Sequence, residues 1–224
     1  MIVSDNNIGI FSYGRKQSQR CPNKMLRPFD DTTLVDIILK KLKSLGDNTF
    51  FAGYEKEFKQ KCDQIGVRFV QRTKKSVSID EPQIECLSFL REVNHDYLLI
   101  VNGCLPFLKV ETIKSFLNEV VGRGLHPSSV IMKQSNYFFG ENKLPINFAV
   151  NLKNLNTKSV SPIYEFANAL YFFNRQYFFD NGRYWDWEKL RLIELESSVE
   201  LIDVDTEEDF LIAESVWKSL RIGS

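Results

Sequence analysis

The chain has 224 residues, 43% hydrophobic and 26% charged, with a formal net charge of zero. That suits one soluble α/β domain and gives no bulk basicity for a nucleic-acid partner, so any phosphate site has to be local. Four cysteines stand far apart without a Cys-x-x-Cys pair, His95 and His126 lie at no zinc-ligand spacing, and no signal pattern or apolar run of about 20 residues appears. Reduced thiols, no structural zinc, no membrane partner and a cytoplasmic location are therefore expected.

Ile8 to Ser12 is a short apolar run ending at Gly14 and predicts a buried first strand. Thr32 or Thr33 is placed to cap a helix in which Leu34, Val35, Ile37, Ile38, Leu42 and Leu45 recur at helical spacing, with Gly46 as its stop. Thr49 to Ala52 predicts a second strand, Tyr54 to Ile65 a helix closed by Gly66, and Val67 to Val70 a third strand. A helix over Ile84 to Val93, an apolar strand over Tyr97 to Val101, a helix over Val110 to Val121 and a strand over Ser129 to Met132 follow. Residues 136–163 differ in character, with Gly140, two prolines and six asparagines. They predict an irregular insertion with short antiparallel strands. Further on, Ala169 to Phe173 predicts a strand, Tyr177 to Trp185 an aromatic helix or turn, Leu192 to Leu195 and Val199 to Val204 late strands, and Glu207 to Leu220 a closing helix.

Strands alternating with helices predict a single three-layer α/β domain over residues 1–224, with a mainly parallel sheet covered by helices on both faces. In such sheets ligands lie beyond the carboxyl ends of the strands. The loops at Gly14, Gln71 and Asn102 should share that edge.

Two segments near the ends of the chain carry the most chemistry. Arg15, Lys16, Arg20, Lys24 and Arg27 fall within thirteen residues on the loop after the first strand. Arginine grips phosphate as a fork and lysine as a point charge. No GxxxxGK[ST] loop is present, and a solvated basic loop is the competing reading. At the other end, Asp203 and Asp205 stand two apart, so on a strand they point the same way. Paired carboxylates repel unless a cation or a shared proton relieves them, and Mg²⁺ is the usual partner when phosphates are near. A capping box from Asp205 or Thr206 to Glu208 or Asp209 accounts for the same residues, and both readings can hold together. Arg72 and Ser78 sit on a polar loop where a base edge can be read. Asn102 ends an apolar strand and is either a ribose or base contact or a turn residue. No GxSxG elbow supports a serine hydrolase.

Together these segments resemble the cytidylyltransferases that activate acidic sugars, the CMP-sialic acid and CMP-KDO synthetase family with its SpsF-like members. The likeness runs from about Ile8 to Glu214. Ser18 to Lys24 looks like the family's S-x-R-x-P-x-K loop, with Arg15 in place of its preceding arginine. Arg72 and the stretch from Ser78 to Asp80 are similar to its R…S-x-D segment, and Ile202 to Asp209 is similar to I-D-I-D-T-x-x-D. The resemblance implies a nucleotide-diphospho-sugar transferase-like fold and a reaction in which CMP passes from CTP to a small acceptor while pyrophosphate leaves. It assigns the triphosphate to Arg15, Ser18, Arg20 and Lys24, with Arg15 and Lys24 as catalytic cations. It assigns the cytidine side to Arg72, Ser78, Asp80 and Asn102, and Mg²⁺ to Asp203 and Asp205. A homodimer formed through the insertion is also expected.

The acceptor side departs from the family. Where sialic acid synthetases carry a threonine, a serine and an arginine, this chain has Cys104, Leu105 and Leu108, and Glu165 stands where an arginine is expected. An acceptor other than sialic acid is implied: a different acidic sugar, or a phosphorylated or phosphonate compound held by cations such as Lys133, Lys143 or Arg175. Two alternatives stay open: a glycosyltransferase with a similar nucleotide-binding sheet, and a non-catalytic nucleotide-binding relative.

Overall fold

The computed structural model describes residues 7–222. Seven strands form one sheet: β1 (Ile8–Tyr13), β2 (Thr49–Gly53), β3 (Arg68–Gln71), β4 (Tyr97–Val101), β5 (Ser128–Gln134), β6 (Ile163–Asn174) and β7 (Arg191–Glu194). Their order is β3-β2-β1-β4-β6-β5-β7. Only β6 runs antiparallel, pairing β4 on one side and β5 on the other. The chain direction across the sheet reverses between β1 and β4, and a crevice opens at the carboxyl ends of strands at such a point.

Side chains alternate between two cores, as the pleat requires. Ile8 and Ile10 of β1, Phe51 of β2 and Leu99 and Val101 of β4 face one layer, with α1 (Leu34–Leu45), α2 (Lys56–Ile65), α4 (Val110–Gly122) and α6 (Glu207–Ile222). Phe11, Phe50, Ala52, Leu98 and Ile100 face the other, under α5 (Arg175–Asn181) and the segment 83–93. The expected three-layer architecture is present. The expected helix over 84–93 is instead a single helical turn, α3 (Gln83–Cys86), followed by a 3₁₀ turn at Ser88–Glu92. Its buried residues Leu87, Phe89, Leu90 and Val93 spread over the second core as loop packing rather than as a helical stripe.

Three further expectations change. β6 begins at Ile163 rather than Ala169, because its first half pairs with β5 beyond the end of β4. Val199 to Val204 is no strand: a 3₁₀ turn at Val199–Leu201 leads into an extended segment outside the sheet, held where the Val204 amide donates to the Cys104 carbonyl (3.0 Å). The irregular segment contains one isolated antiparallel bridge, Phe139 to Pro145, instead of short strands. It is clasped by Asn147, whose amide bonds the backbone at Phe138, Asn136 and Ser161. Among the described residues no helix is long and apolar enough to cross a membrane.

Glycine is required where the loop after β4 passes β1. A Cβ on Gly103 would lie 2.9 Å from Ser12 Oγ and 3.1 Å from Met25 Cε. The same loop is fastened from α1, where the Lys41 ammonium donates to the carbonyls of Leu105 (2.9 Å) and Pro106 (2.8 Å). Burial pushes this group from the ordinary 10.5 down to about 7, against the pull of Glu200. Between those values the unfolded chain holds a proton that the folded protein has released, so folding stability should rise with pH across that window. Urea unfolding at about pH 7 and about pH 9 is expected to show wild type gaining up to about 2 kcal/mol relative to Lys41→Met. Identical pH slopes for the two proteins would refute a buried, deprotonating Lys41.

Candidate active site

The loop after β1 is a folded structure rather than a free basic tail. Cys21, Met25 and Phe29 point into the core. Phe29 packs edge-on against Phe210 (5.2 Å between centroids) and Trp217 (5.8 Å) of α6. Arg27 lies over the Phe210 ring at 3.6 Å and makes a fork with Glu207 (2.8 and 2.7 Å). These anchors use part of the expected cation cluster structurally and turn the rest toward the sheet edge.

There a cavity of about 360 Å³ opens beyond the carboxyl ends of β1, β3 and β4. Four cations line it, Arg15, Arg20, Lys24 and Arg72, against one carboxylate, Asp205. Tyr13, Ser18, Ser76, Gln83, Cys86 and Cys104 contribute to the remaining wall.

The cavity has two chemically different ends. At one, Lys24 is nearly buried, its ammonium donating to the Val204 carbonyl and to Asp205 Oδ1 (3.1 Å), while Arg20 meets Asp205 Oδ2 at 2.9 Å. Burial acts to lower the Lys24 ammonium, but Cys104 and Asp205 outweigh it and hold the group above its ordinary value. At the other end Arg72 is sunk under the base of the loops. It donates to the carbonyls of Gly14 (3.1 Å), Ser76 and Cys86 (3.1 Å), and its guanidinium lies 5.2 Å from the Tyr13 ring centre. No carboxylate neutralises it in these contacts, and burial lowers its affinity for its proton. Arg15 spans the ends, donating to the carbonyls of Val77 (3.4 Å) and Ser78 (3.0 Å).

Asp203 faces elsewhere. It lines a separate cleft of about 160 Å³ with Leu105, Met132, Glu165, Phe166, Ala167, Asn168 and Leu201. Its Oδ2 accepts from Asn102 (3.1 Å) and Asn168 (3.5 Å), while its Oδ1 is buried with no partner. Burial, and then the charge of Asp205, push its carboxyl up to about 6. The two aspartates therefore do not share one strand edge, because the segment carrying them lies outside the sheet. Each faces a different space, and the segment forms the wall between.

Among the expected residues, the cavity brings together Arg15, Ser18, Arg20, Lys24, Arg72 and Asp205. It does not include Ser78, Asp80 or Asn102. The Ser78 hydroxyl donates to the Lys74 carbonyl (3.2 Å), Asp80 occupies a left-handed turn at φ 68°, and the Asn102 amide is committed to Asn168 O, Asp203 and the Cys104 amide. Nor does Arg175 serve an acceptor: it caps the carbonyls of Leu90 and Arg91 and lies against Phe179. The capping box is real alongside these roles. Thr206 Oγ1 accepts from the Asp209 amide (3.2 Å), and Asp209 Oδ2 accepts from the Thr206 amide (2.7 Å). Tyr13, Ser76 and Gln83 were not legible as site residues. Tyr13 looks like one more core aromatic, and Ser76 and Gln83 sit in a segment whose turns follow no period.

Asp203 and Asp205 suit a divalent cation in chemistry. Asp205 stands at the edge of the cationic cavity, and Asp203, with an oxygen that finds no donor, on the other side of the same segment, so one ion bound by both would sit at the edge of the segment rather than inside either space. Among the described residues no group of three or more His, Cys, Asp or Glu could hold a metal ion, so phosphate and water oxygens would have to complete the shell.

No curated protein matches the sequence significantly. Solved structures with the same fold include a CMP:2-keto-3-deoxy-manno-octonic acid synthetase complexed with CTP, at a TM-score of 0.70 and 10% identity over 95% of this chain and 99% of the other. A 4-diphosphocytidyl-2C-methyl-D-erythritol synthase from Anaerococcus prevotii matches at 0.67 and 11% identity, over 97% and 98%. A nucleotidyl transferase from Methanothermobacter thermautotrophicus matches at 0.62 and 16%, over 96% and 99%. At these identities the likeness speaks for the fold, and the sequence itself speaks for the family. Residues 14–192 match the cytidylyltransferase family model, and the chain belongs to that family of CTP-dependent nucleotidyltransferases.

Proposed function

We propose that the protein transfers CMP from CTP to a small-molecule acceptor that serves a surface polysaccharide or glycoconjugate precursor. The observation that carries the reading of the site is the cavity lined by four cations against one carboxylate. An excess of positive charge in a recessed wall suits a polyanion of triphosphate size. The triphosphate lies toward Arg15, Ser18, Arg20 and Lys24, and the nucleoside toward Arg72 and Tyr13.

The acceptor enters by the cleft beside the Ile202–Thr206 segment and meets the α-phosphorus at the edge of that segment. Its oxygen forms a bond to that phosphorus as the bond to the bridging β-oxygen breaks, and pyrophosphate departs. Catalysis is then positioning plus charge stabilisation. Lys24 is held charged by its surroundings and stabilises negative charge as the leaving group forms. Arg20 exchanges its contact with Asp205 for phosphate oxygens. Asp203 and Asp205 would hold Mg²⁺, which supplies further neutralisation of the triphosphate.

The acceptor cleft contains Glu165 and Asp203 and no lysine or arginine in its lining. A free carboxylate entering it meets repulsion and desolvation without a cationic partner. Sialic acid and KDO are therefore expected to be poor acceptors when pyrophosphate release is followed with CTP and Mg²⁺ across an acceptor panel. Rapid turnover of either would overturn this reading of the cleft. Pyrophosphate release with no acceptor in a broad panel of phosphorylated, phosphonate and hydroxyl compounds would count against catalysis.

Lys24→Ala should weaken CTP by roughly 1.5–3 kcal/mol while leaving cytidine nearly unaffected in calorimetry. Equal losses for both ligands would remove Lys24 from the triphosphate. Asp203→Asn is the cleaner probe of the metal, since Asp205 also pairs with Arg20 and Lys24. It should keep the fold by circular dichroism and lower Mn²⁺ affinity in the CTP complex by about ten- to a hundredfold, read by electron paramagnetic resonance. Unchanged Mn²⁺ binding would exclude Asp203 as a ligand.

A further inference from the structure

The loop after β4 stands between the two spaces of the site. Cys104 lines the cationic cavity and Leu105 the smaller cleft. The Cys104 carbonyl accepts from the Val204 amide (3.0 Å), and the Val204 carbonyl accepts from Lys24. The next two carbonyls along the loop, Leu105 (2.9 Å) and Pro106 (2.8 Å), are both taken by Lys41, which reaches across from α1. One side chain thus fastens the stretch from which the Ile202–Thr206 segment hangs. Lys41 also lines an open groove of about 360 Å³ on the outer side, with Pro106, Phe107, Lys109, Glu111, Trp217 and Leu220 among its neighbours. Glu200 pulls on the Lys41 amine but is already held by the Lys109 amide (3.0 Å) and ammonium (3.3 Å). Lys109 and Glu111 stand along the groove at the start of α4, and α6 brings the uncharged Trp217 and Leu220 to it. Asp36 and Lys61 pair with each other where α1 meets α2 (2.7 Å), and Lys40 and Lys43 of α1 are exposed.

We propose, building on the nucleotide reading of the cavity, that Lys41 is a positioning residue: a latch that holds the loop after β4, and through it the segment carrying Asp203 and Asp205, in the geometry the transfer needs. Lys41 lines neither the cavity nor the cleft and acts through the loop. The latch closes with a neutral amine. Without its extra proton the amine keeps two N–H groups, one for each carbonyl, and avoids the cost of a buried charge. It opens when the side chain withdraws toward the groove and takes up a proton from water. Closed, the group keeps its proton only below about 7, whereas in water it keeps it up to the ordinary 10.5. Protonation therefore favours the open state. Closure strengthens by up to about tenfold per pH unit as pH rises from about 7, and below that value it stays at its weakest.

Hydrogen exchange read by NMR between about pH 7 and pH 9 tests the latch in wild type and Lys41→Met. The Cys104, Leu108 and Val204 amides, bonded to Asn102, Leu105 and Cys104, report on the loop and the segment, and amides of β1 and β4 report on the core. The three reporters should open at least about tenfold more often than the core amides, as a local rather than a global event. After correction for intrinsic exchange, their opening should fall in wild type by up to about tenfold per pH unit and stay flat in Lys41→Met. Reporters that open only together with the core, or whose pH dependence is absent in wild type or the same in both proteins, would overturn the latch. If Lys41→Met does not fold, the wild-type reporters decide alone by the same criteria. Calorimetry at about pH 8 tests the positioning role: Lys41→Met should bind CTP about fivefold or more weakly than wild type, and equal affinity would overturn it. Failure of wild type to bind CTP at all would instead refute the nucleotide reading of the cavity, while the exchange rates still decide the latch.

Discussion

The ammonium of Lys24, set on the Val204 carbonyl and the Asp205 carboxylate, joins parts of the chain 180 and 181 residues apart. The rest of the site depends on this contact. It draws the C-terminal segment across the carboxyl edge of the sheet, where it would otherwise have no strand to pair with. Arg27 on Glu207 and Phe29 against α6 repeat the junction on its outer side. Ion pairs of this kind add little net stability, because desolvation offsets much of the attraction. Their effect here is to fix position: an acidic segment is held within reach of a basic loop, and neither can move without leaving the other's charge unpaired.

That placement divides the edge into two compartments. Asp205 belongs to the cationic cavity and Asp203 to the smaller cleft, with two residues' separation along an extended chain producing opposite surroundings. Asp205 is matched by cations. Asp203 is held by amide donors alone and retains a raised proton affinity. In-line displacement needs the attacking oxygen in direct reach of the phosphorus, opposite the leaving pyrophosphate, so an acceptor from the smaller cleft has to meet the α-phosphate at the edge of this segment. The glycosyltransferase alternative has no comparable support. The strand it would rely on ends in Asn102-Gly103-Cys104, and the family match is to cytidylyltransferases.

Arg72 illustrates how a site residue becomes a structural one. Its position after β3 suggested a base contact, and it does reach the cavity. Most of its donors, however, gather the loops after β1 and β3 and the α3 turn by their carbonyls. A guanidinium suits this task because it presents several donors in a fixed plane and stays charged when buried more readily than an amine. One N–H, at Nε, stays buried without an acceptor.

Period and composition by themselves determined the α/β layering, the strands that alternate between two apolar faces, and the loops at Gly14 and Asn102 that share one edge. These are local properties: a period of two or of 3.6 is written in a few adjacent residues. The cation cluster and the aspartate pair were equally legible, as was the family likeness they carry. Which of those charges face a ligand was decided only by tertiary structure. Arg27 was diverted to Glu207, Asn102 to Asp203, Ser78 to its own turn, and the two aspartates to separate spaces. Gln83 and Tyr13 entered the cavity because turns and a strand end delivered them there. For Asn102 and Arg27 the deciding partners lie 101 and 180 residues away, and hydrogen bonds at that separation leave no period in the sequence. The direction of β6 had the same origin: its antiparallel course brings Glu165 and Asn168 to the site, and a strand's own residues do not specify which way it runs beside its neighbours.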